Sequence, residues 1–104
     1  PQALMLLNGE FVNRQARYLA TRLQRDAGND TNEQIDLAYR LALARSPTAA
    51  EKLDIASFLA EDVQRQLHEA AERGESIGQE TVDSQALVQF CRLLFNLNEF
   101  VYAD

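Results

Sequence analysis

The tripeptide Ser46-Pro47-Thr48 most narrows what this chain can fold into, because it separates two long stretches of helical periodicity and belongs to neither. Proline lacks a backbone donor and drives the residue before it out of the helical region, so a helix arriving from the N-terminal side must stop there. Thr48, with Glu51 three residues on, forms the capping-box signature that starts another helix at once. Before the break, Thr31 and Gln34 read as a capping box opening a helix from Asn32 to about Arg45. In it, Ile35, Leu37, Ala38, Tyr39, Leu41, Ala42 and Leu43 leave only Glu33, Asp36 and Arg40 as a polar stripe. So wide an apolar surface predicts a central helix with neighbours on two or more sides. After the break, Leu53, Ala56, Ala60, Val63, Leu67 and Ala70 alternate by three and four, widened near the start by Ile55, Phe58 and Leu59. This predicts a long helix whose first half packs more deeply than its second. Glu61, Arg65, Glu69 and Arg73 form a ladder of exposed pairs on that second half, which is expected to project toward solvent.

Two further helices flank this pair. Val12, Ala16, Leu19, Leu23 and Ala27 lie on one face of a helix from about Gly9 to Ala27, ended by Gly28-Asn29 and preceded by the short apolar segment Gln2 to Leu7, with Asn8 as its cap. We read the two pieces as one kinked unit. Gly74 to Asp83, with only Ile77 and Val82 as larger apolar side chains, reads as a loop without a packed face, after which Asp83 or Ser84 caps a last helix. There, Leu87, Phe90, Leu94 and Leu97 form one stripe and Val88, Cys91 and Phe95 the next. Gln85, Gln89, Arg92 and Asn96 remain as a narrow polar edge. The expected fold is all-α: an irregular four-helix bundle with a kinked first helix and a central apolar second helix, forming a single domain over the 104 residues.

Chemistry-bearing residues are sparse. The lone Cys91 has no partner for an internal disulfide, and without paired Cys and His spacing there is no motif for attached haem or structural zinc. Its place in the buried half of the last helix predicts an inert thiol. His68, the sole histidine, has Glu72 as its nearest possible co-ligand, so we assign it no metal or catalytic role. Neighbouring acids such as Glu61 and Asp62 point in different directions on a helix, which removes support for a two-carboxylate hydrolytic site. The four glycines are scattered singly and make no phosphate loop. No catalytic residue, cofactor or metal is therefore expected. A formal charge of -6 argues against nucleic acid as a partner, and no segment reaches the roughly 20 apolar residues of a membrane-spanning helix. The exception to the acidic balance is the first long helix, where Arg14, Arg17, Arg22 and Arg25 face only Glu10 and Asp26. Residues 1–26 thus carry +2, leaving -8 elsewhere. The arginines form either a docking surface or, more commonly for such a helix, a face beside acidic neighbours of their own fold or of a preceding region of the polypeptide.

Three segments together resemble a known family: Pro1-Gln2-Ala3-Leu4-Met5-Leu6-Leu7-Asn8 with Phe11 and Gln15-Ala16-Arg17; Ala38-Tyr39-Arg40-Leu41-Ala42-Leu43-Ala44-Arg45-Ser46-Pro47-Thr48 with Glu51; and the closing run Leu93 to Asp104, with its Asn98-Glu99-Phe100-Val101-Tyr102. They are similar to the C-terminal end of the planctomycete PSD family, a domain of unknown function in large exported proteins, commonly found together with a cytochrome-c-like module. The resemblance implies a longer polypeptide ending near Asp104, an upstream signal peptide and an exported, periplasmic or similar location; it implies no reaction. The family pattern suggests glycine before the turn arginine, where this chain has Ala44, so a small residue without a left-handed backbone is expected there.

The function favoured is an uncharacterised structural or protein-interaction module of a larger protein, with Leu4, Met5, Leu6, Leu7, Arg14, Arg17, Phe100 and Tyr102 as its candidate contact surface. Its expected partners are the upstream region of the same polypeptide or a second copy of the chain. The alternative is a pocket-forming part of an enzyme whose catalytic residues lie upstream.

Overall fold

The computed structural model describes residues 9–97. Four helices form in this span: α1 Gly9–Ala27, α2 Thr31–Leu43, α3 Ala49–Glu72 and α4 Gln79–Phe95. The architecture is all-α. The expected kink and the apolar segment before Gly9 lie outside the described residues, as does the run after Leu97.

Each helix end has a local cause. α1 closes at Gly28, whose φ of +64° is left-handed and whose N–H donates to the Gln24 carbonyl at 3.1 Å. No atom lies within 4 Å of a Cβ built there, so backbone conformation and not space calls for glycine. The cap of α2 corrects the expected one. Asp30, not Thr31, is the N-cap, its carboxylate accepting from the Glu33 N–H at 3.0 Å, while Gln34 reaches back to the Gly28 carbonyl at 2.6 Å. Asp caps at least as well as Thr, and placing the cap one residue earlier lets Gln34 become a buried tie to the preceding turn.

The end of α2 also departs from expectation. Ala44 is left-handed, with φ 58° and ψ 32°, and its N–H bonds the Arg40 carbonyl, so the helix stops at Leu43 and not at Arg45. The position thus does use a left-handed backbone, and alanine occupies it at a cost of about 1–2 kcal/mol. Ala44→Gly should stabilise the protein by about 0.5–1 kcal/mol, the relief of this strain less the extra freedom glycine gives the unfolded chain. Urea denaturation would show a higher midpoint with unchanged slope; an unchanged or lower midpoint would contradict the assigned backbone.

Thr48 and Glu51 form the complete capping box. The Thr48 hydroxyl accepts from the Glu51 N–H at 3.0 Å, and the Glu51 carboxylate accepts from the Thr48 N–H at 2.8 Å. α3 ends in a Schellman turn at Gly74, φ +71°, with Glu75 N–H on the Ala70 carbonyl and Gly74 N–H on that of Ala71.

Around the core, α2 touches all three other helices, as its wide apolar surface predicted. α4 shares that central position, packing most extensively against α1 and then against α3. The core gathers Ala16, Ala20, Leu23, Ile35, Ala38, Tyr39, Ile55, Leu87, Phe90, Cys91 and Leu94. Tyr39 and Phe90 stack with ring centroids 6.4 Å apart.

α3 and α4 each overturn a sequence-based expectation. The buried line of α3 is Ile55, Asp62, Gln66 and Ala70, while Leu53 is 71% exposed and Ala60 lies at the surface. The helix is rotated relative to the seam drawn through its apolar residues; its first half supplies Ile55 to the apolar core with Phe58 and Leu59 packed against it, while two of the three buried residues of its second half are polar. The charge ladder is rearranged accordingly: Arg65 meets Asp62 at 2.6 Å and Glu69 at 3.0 Å, and Arg73 pairs with Glu75. α4 starts at Gln79 with Gly78 as N-cap, not at Asp83 or Ser84, and Val82 is fully buried in what read as a loop. Gly78 makes no side-chain cap, so no capping signature marked this start.

Candidate functional site

The polar edge of α4 forms the floor of a groove. Gln85, Val88, Gln89 and Arg92 of that helix lie between Asn13 and Arg17 of α1 and the stripe Asp62, Arg65, Gln66, Glu69 and Arg73 of α3; Ser84 and Ile77 complete the lining. The spacing of the α3 residues puts them along one helix face. The groove has a volume of about 460 Å³, within the roughly 300–1,000 Å³ typical of small-molecule sites. Its side chains include four arginines against two carboxylates, a positive excess within a chain of net charge -6.

A buried polar pair forms one wall. Asp62 and Gln66 are 8% and 7% exposed, and the Gln66 Nε2 donates both to Asp62 Oδ2 at 2.7 Å and to the Val82 carbonyl at 3.2 Å. Both neighbours are acceptors, which fixes the amide orientation and turns Oε1 away from them. That oxygen is buried and accepts no hydrogen bond among the described residues. Sequence reasoning missed this pair because it scored the helix by apolar residues alone. The three-four spacing of Ile55, Leu59, Asp62, Gln66 and Ala70 was present, with two polar residues in it.

A second polar cluster ties the turn between α2 and α3. Arg45 Nη1 and Nη2 each donate to one Glu51 oxygen at 2.9 Å, and the Arg45 guanidinium lies 5.3 Å from the centre of the Tyr39 ring. Arg45, together with the Thr48 N–H, holds the Glu51 carboxyl down at about 2. Lys52 Nζ contacts Asp36 at 3.0 Å, joining the same two helices. This cluster builds the turn; its carboxylates are already satisfied.

The described ones among the residues singled out in the sequence have different surroundings. Arg14 is exposed and 3.6 Å from Glu10, whereas Arg17 lines the groove. Leu4, Met5, Leu6, Leu7, Phe100 and Tyr102 lie outside the described residues. His68 stands at the surface 3.3 Å from Glu72, and among the described residues no group of three or more His, Cys, Asp or Glu could hold a metal ion. Nor is any described helix long and apolar enough to cross a membrane.

Cys91 is fully buried, and burial pushes its thiol up to about 12. Thiolate reactivity is suppressed both by access and by protonation. A disulfide reagent should label native protein at least about 100-fold more slowly than urea-unfolded protein, because labelling must await opening of the core. Equal rates would show that Cys91 is reachable in the fold.

The family model described as PSD1, protein of unknown function (DUF1553), matches residues 1–59. That span covers α1, α2, the Arg45 to Glu51 turn and the start of α3, and stops before the buried Asp62–Gln66 pair. No curated protein and no solved structure matches the chain.

Proposed function

This chain belongs to the PSD1 family, proteins of unknown function, and from that premise we propose that it is a helical protein-interaction module that docks through the outer face of α1. The carrying observation is Tyr18, which is 65% exposed. Helical geometry places Arg14, Arg22 and Arg25, at one turn before and one and two turns after, around the tyrosine on the face opposite Val12, Ala16, Ala20 and Leu23. Tyrosine and arginine are enriched among the residues that carry binding energy at protein interfaces, a rigid ring losing little freedom and a planar fork losing less per hydrogen bond than a flexible cation. The Arg22 and Arg25 guanidiniums both meet Asp26.

The partner favoured by this chemistry is an acidic protein surface, either another region of the same polypeptide or a second copy of the chain, whose residues outside the first 26 carry -8. Leu4, Met5, Leu6, Leu7, Phe100 and Tyr102 are proposed to extend the contact, with Arg17 at its margin. Likeness to exported proteins motivates export as part of the same reading, and cell fractionation tests it.

The docking claim is tested by placing a photo-crosslinking phenylalanine analogue at position 18 of the full polypeptide and mapping the products by mass spectrometry. Crosslinks should fall on one acidic stretch of the polypeptide or its second copy. Yields no higher than from the analogue at Thr81, an exposed control on α4, would remove the proposal.

A further inference from the structure

We propose that the groove over α4 is a binding site for an extended acidic peptide segment. This does not rest on the reading of the outer face of α1, which meets the groove only at Arg17. The first observation is the distribution of charge. Arg65 is occupied by Asp62 and Glu69, and Arg73 by Glu75, but Arg17 and Arg92 make no ion pair among the described residues. Arg92 donates instead to the neutral Gln89 Oε1 at 3.1 Å. The two uncompensated cations come from α1 and α4, the most extensively packed pair of helices, which the Gln24–Ser84 hydrogen bond of 2.8 Å also joins. Their separation is therefore held by the core and not by a loop, as preorganised recognition of carboxylates requires.

The second observation is Gln66, more than nine-tenths buried, which lines the groove and is held by Asp62 and the Val82 carbonyl, so that this wall is as fixed as the two cations. The third observation is the lining itself. Asn13, Gln85 and Gln89 present primary amides, each both donor and acceptor, which match the alternating N–H and C=O of an extended backbone, and among the described residues no aromatic ring lines the groove as a platform for a sugar or a base.

The test uses a blocked pentapeptide with two glutamates alternating with glycines, its glutamine isostere, and inorganic phosphate, each titrated into the ¹⁵N-labelled chain. The acidic peptide should shift the Gln66 side-chain amide and the backbone signals of Arg17 and Arg92 saturably, and the glutamine isostere should bind at least about tenfold more weakly. Combined Arg17→Gln and Arg92→Gln substitution should weaken the acidic peptide by at least about tenfold at unchanged melting temperature, while Arg14→Gln with Arg22→Gln leaves it unchanged. Equal losses in the two double variants would show attraction by bulk charge only and would overturn the site. Competition by phosphate at the same concentration as the peptide would make it a simple anion site and overturn the peptide reading. Shifts spread over all helices, or no saturable shift at millimolar peptide, would overturn it as well.

Discussion

Phe90→Ala should destabilise the protein by about 3–5 kcal/mol, the range for removing a large buried aromatic and leaving a cavity. Phe90 is fully buried at the centre of α4 and stacks on Tyr39 of α2, so its loss loosens both the core and an aromatic pair. At roughly 4–8 °C per kcal/mol for a chain of this size, the midpoint should fall by at least about 12 °C. The comparison is Leu53→Ala, which also removes a large apolar side chain but from a site 71% exposed, and which should change stability by less than about 0.5 kcal/mol. The apolar periodicity of α3 had placed Leu53 in the buried seam. Urea denaturation of the two variants distinguishes the readings, since comparable losses would restore the seam through Leu53 and reject the observed rotation of α3.

Arg45→Ala should cost about 2 kcal/mol, from two charge-assisted hydrogen bonds to Glu51 discounted for the third of each side chain that solvent reaches, together with the contact on Tyr39. It should also change the response to acid. Glu51 takes up its proton near 4.5 in the unfolded chain and near 2 in the fold, so between these values the unfolded state binds more protons. The stability it contributes is fully present above pH 4.5 and is lost as pH falls toward 2. Removing Arg45, the larger cause of the shift, should flatten that part of the stability profile, leaving only what the Thr48 N–H maintains. A variant that kept the wild-type acid dependence in this window would show that another group carries it.

Local rules reached as far as local causes operate. The period of α1, its end at Gly28, the capping box at Thr48 and the two apolar stripes of α4 all depend on residues within a few positions of each other, and each could be read from spacing and side-chain type. The chemistry of the Arg45 to Glu51 turn was half visible: its residues stood out as a motif, but the guanidinium's place between Glu51 and the Tyr39 ring requires α2 and α3 to be folded against each other. Ala44 shows the opposite limit. A single left-handed residue is invisible to propensity when the residue is not glycine, and alanine persists there because the turn that follows constrains its backbone.

What only the tertiary structure decided is which face of each helix is inside when polar residues share it. Asp62 and Gln66 enter the interior because each finds a partner there, Asp62 from Arg65 and Gln66, and Gln66 from the Val82 carbonyl one helix away. Val82 in turn is fully buried, with its carbonyl held by Gln66 of α3, in a stretch whose own neighbours are mostly polar. The groove follows from the same packing: Arg17, Gln66 and Arg92 are far apart in sequence and on three different helices, and nothing in any one helix pattern brings them to a common surface. The sequence by itself determined an all-α chain, its helix-breaking turns and most of its apolar core, because burial of apolar groups and capping act over one or two helical turns. The groove was decided by long-range packing, where a polar residue is bought into the interior by a hydrogen bond that exists only once two helices meet.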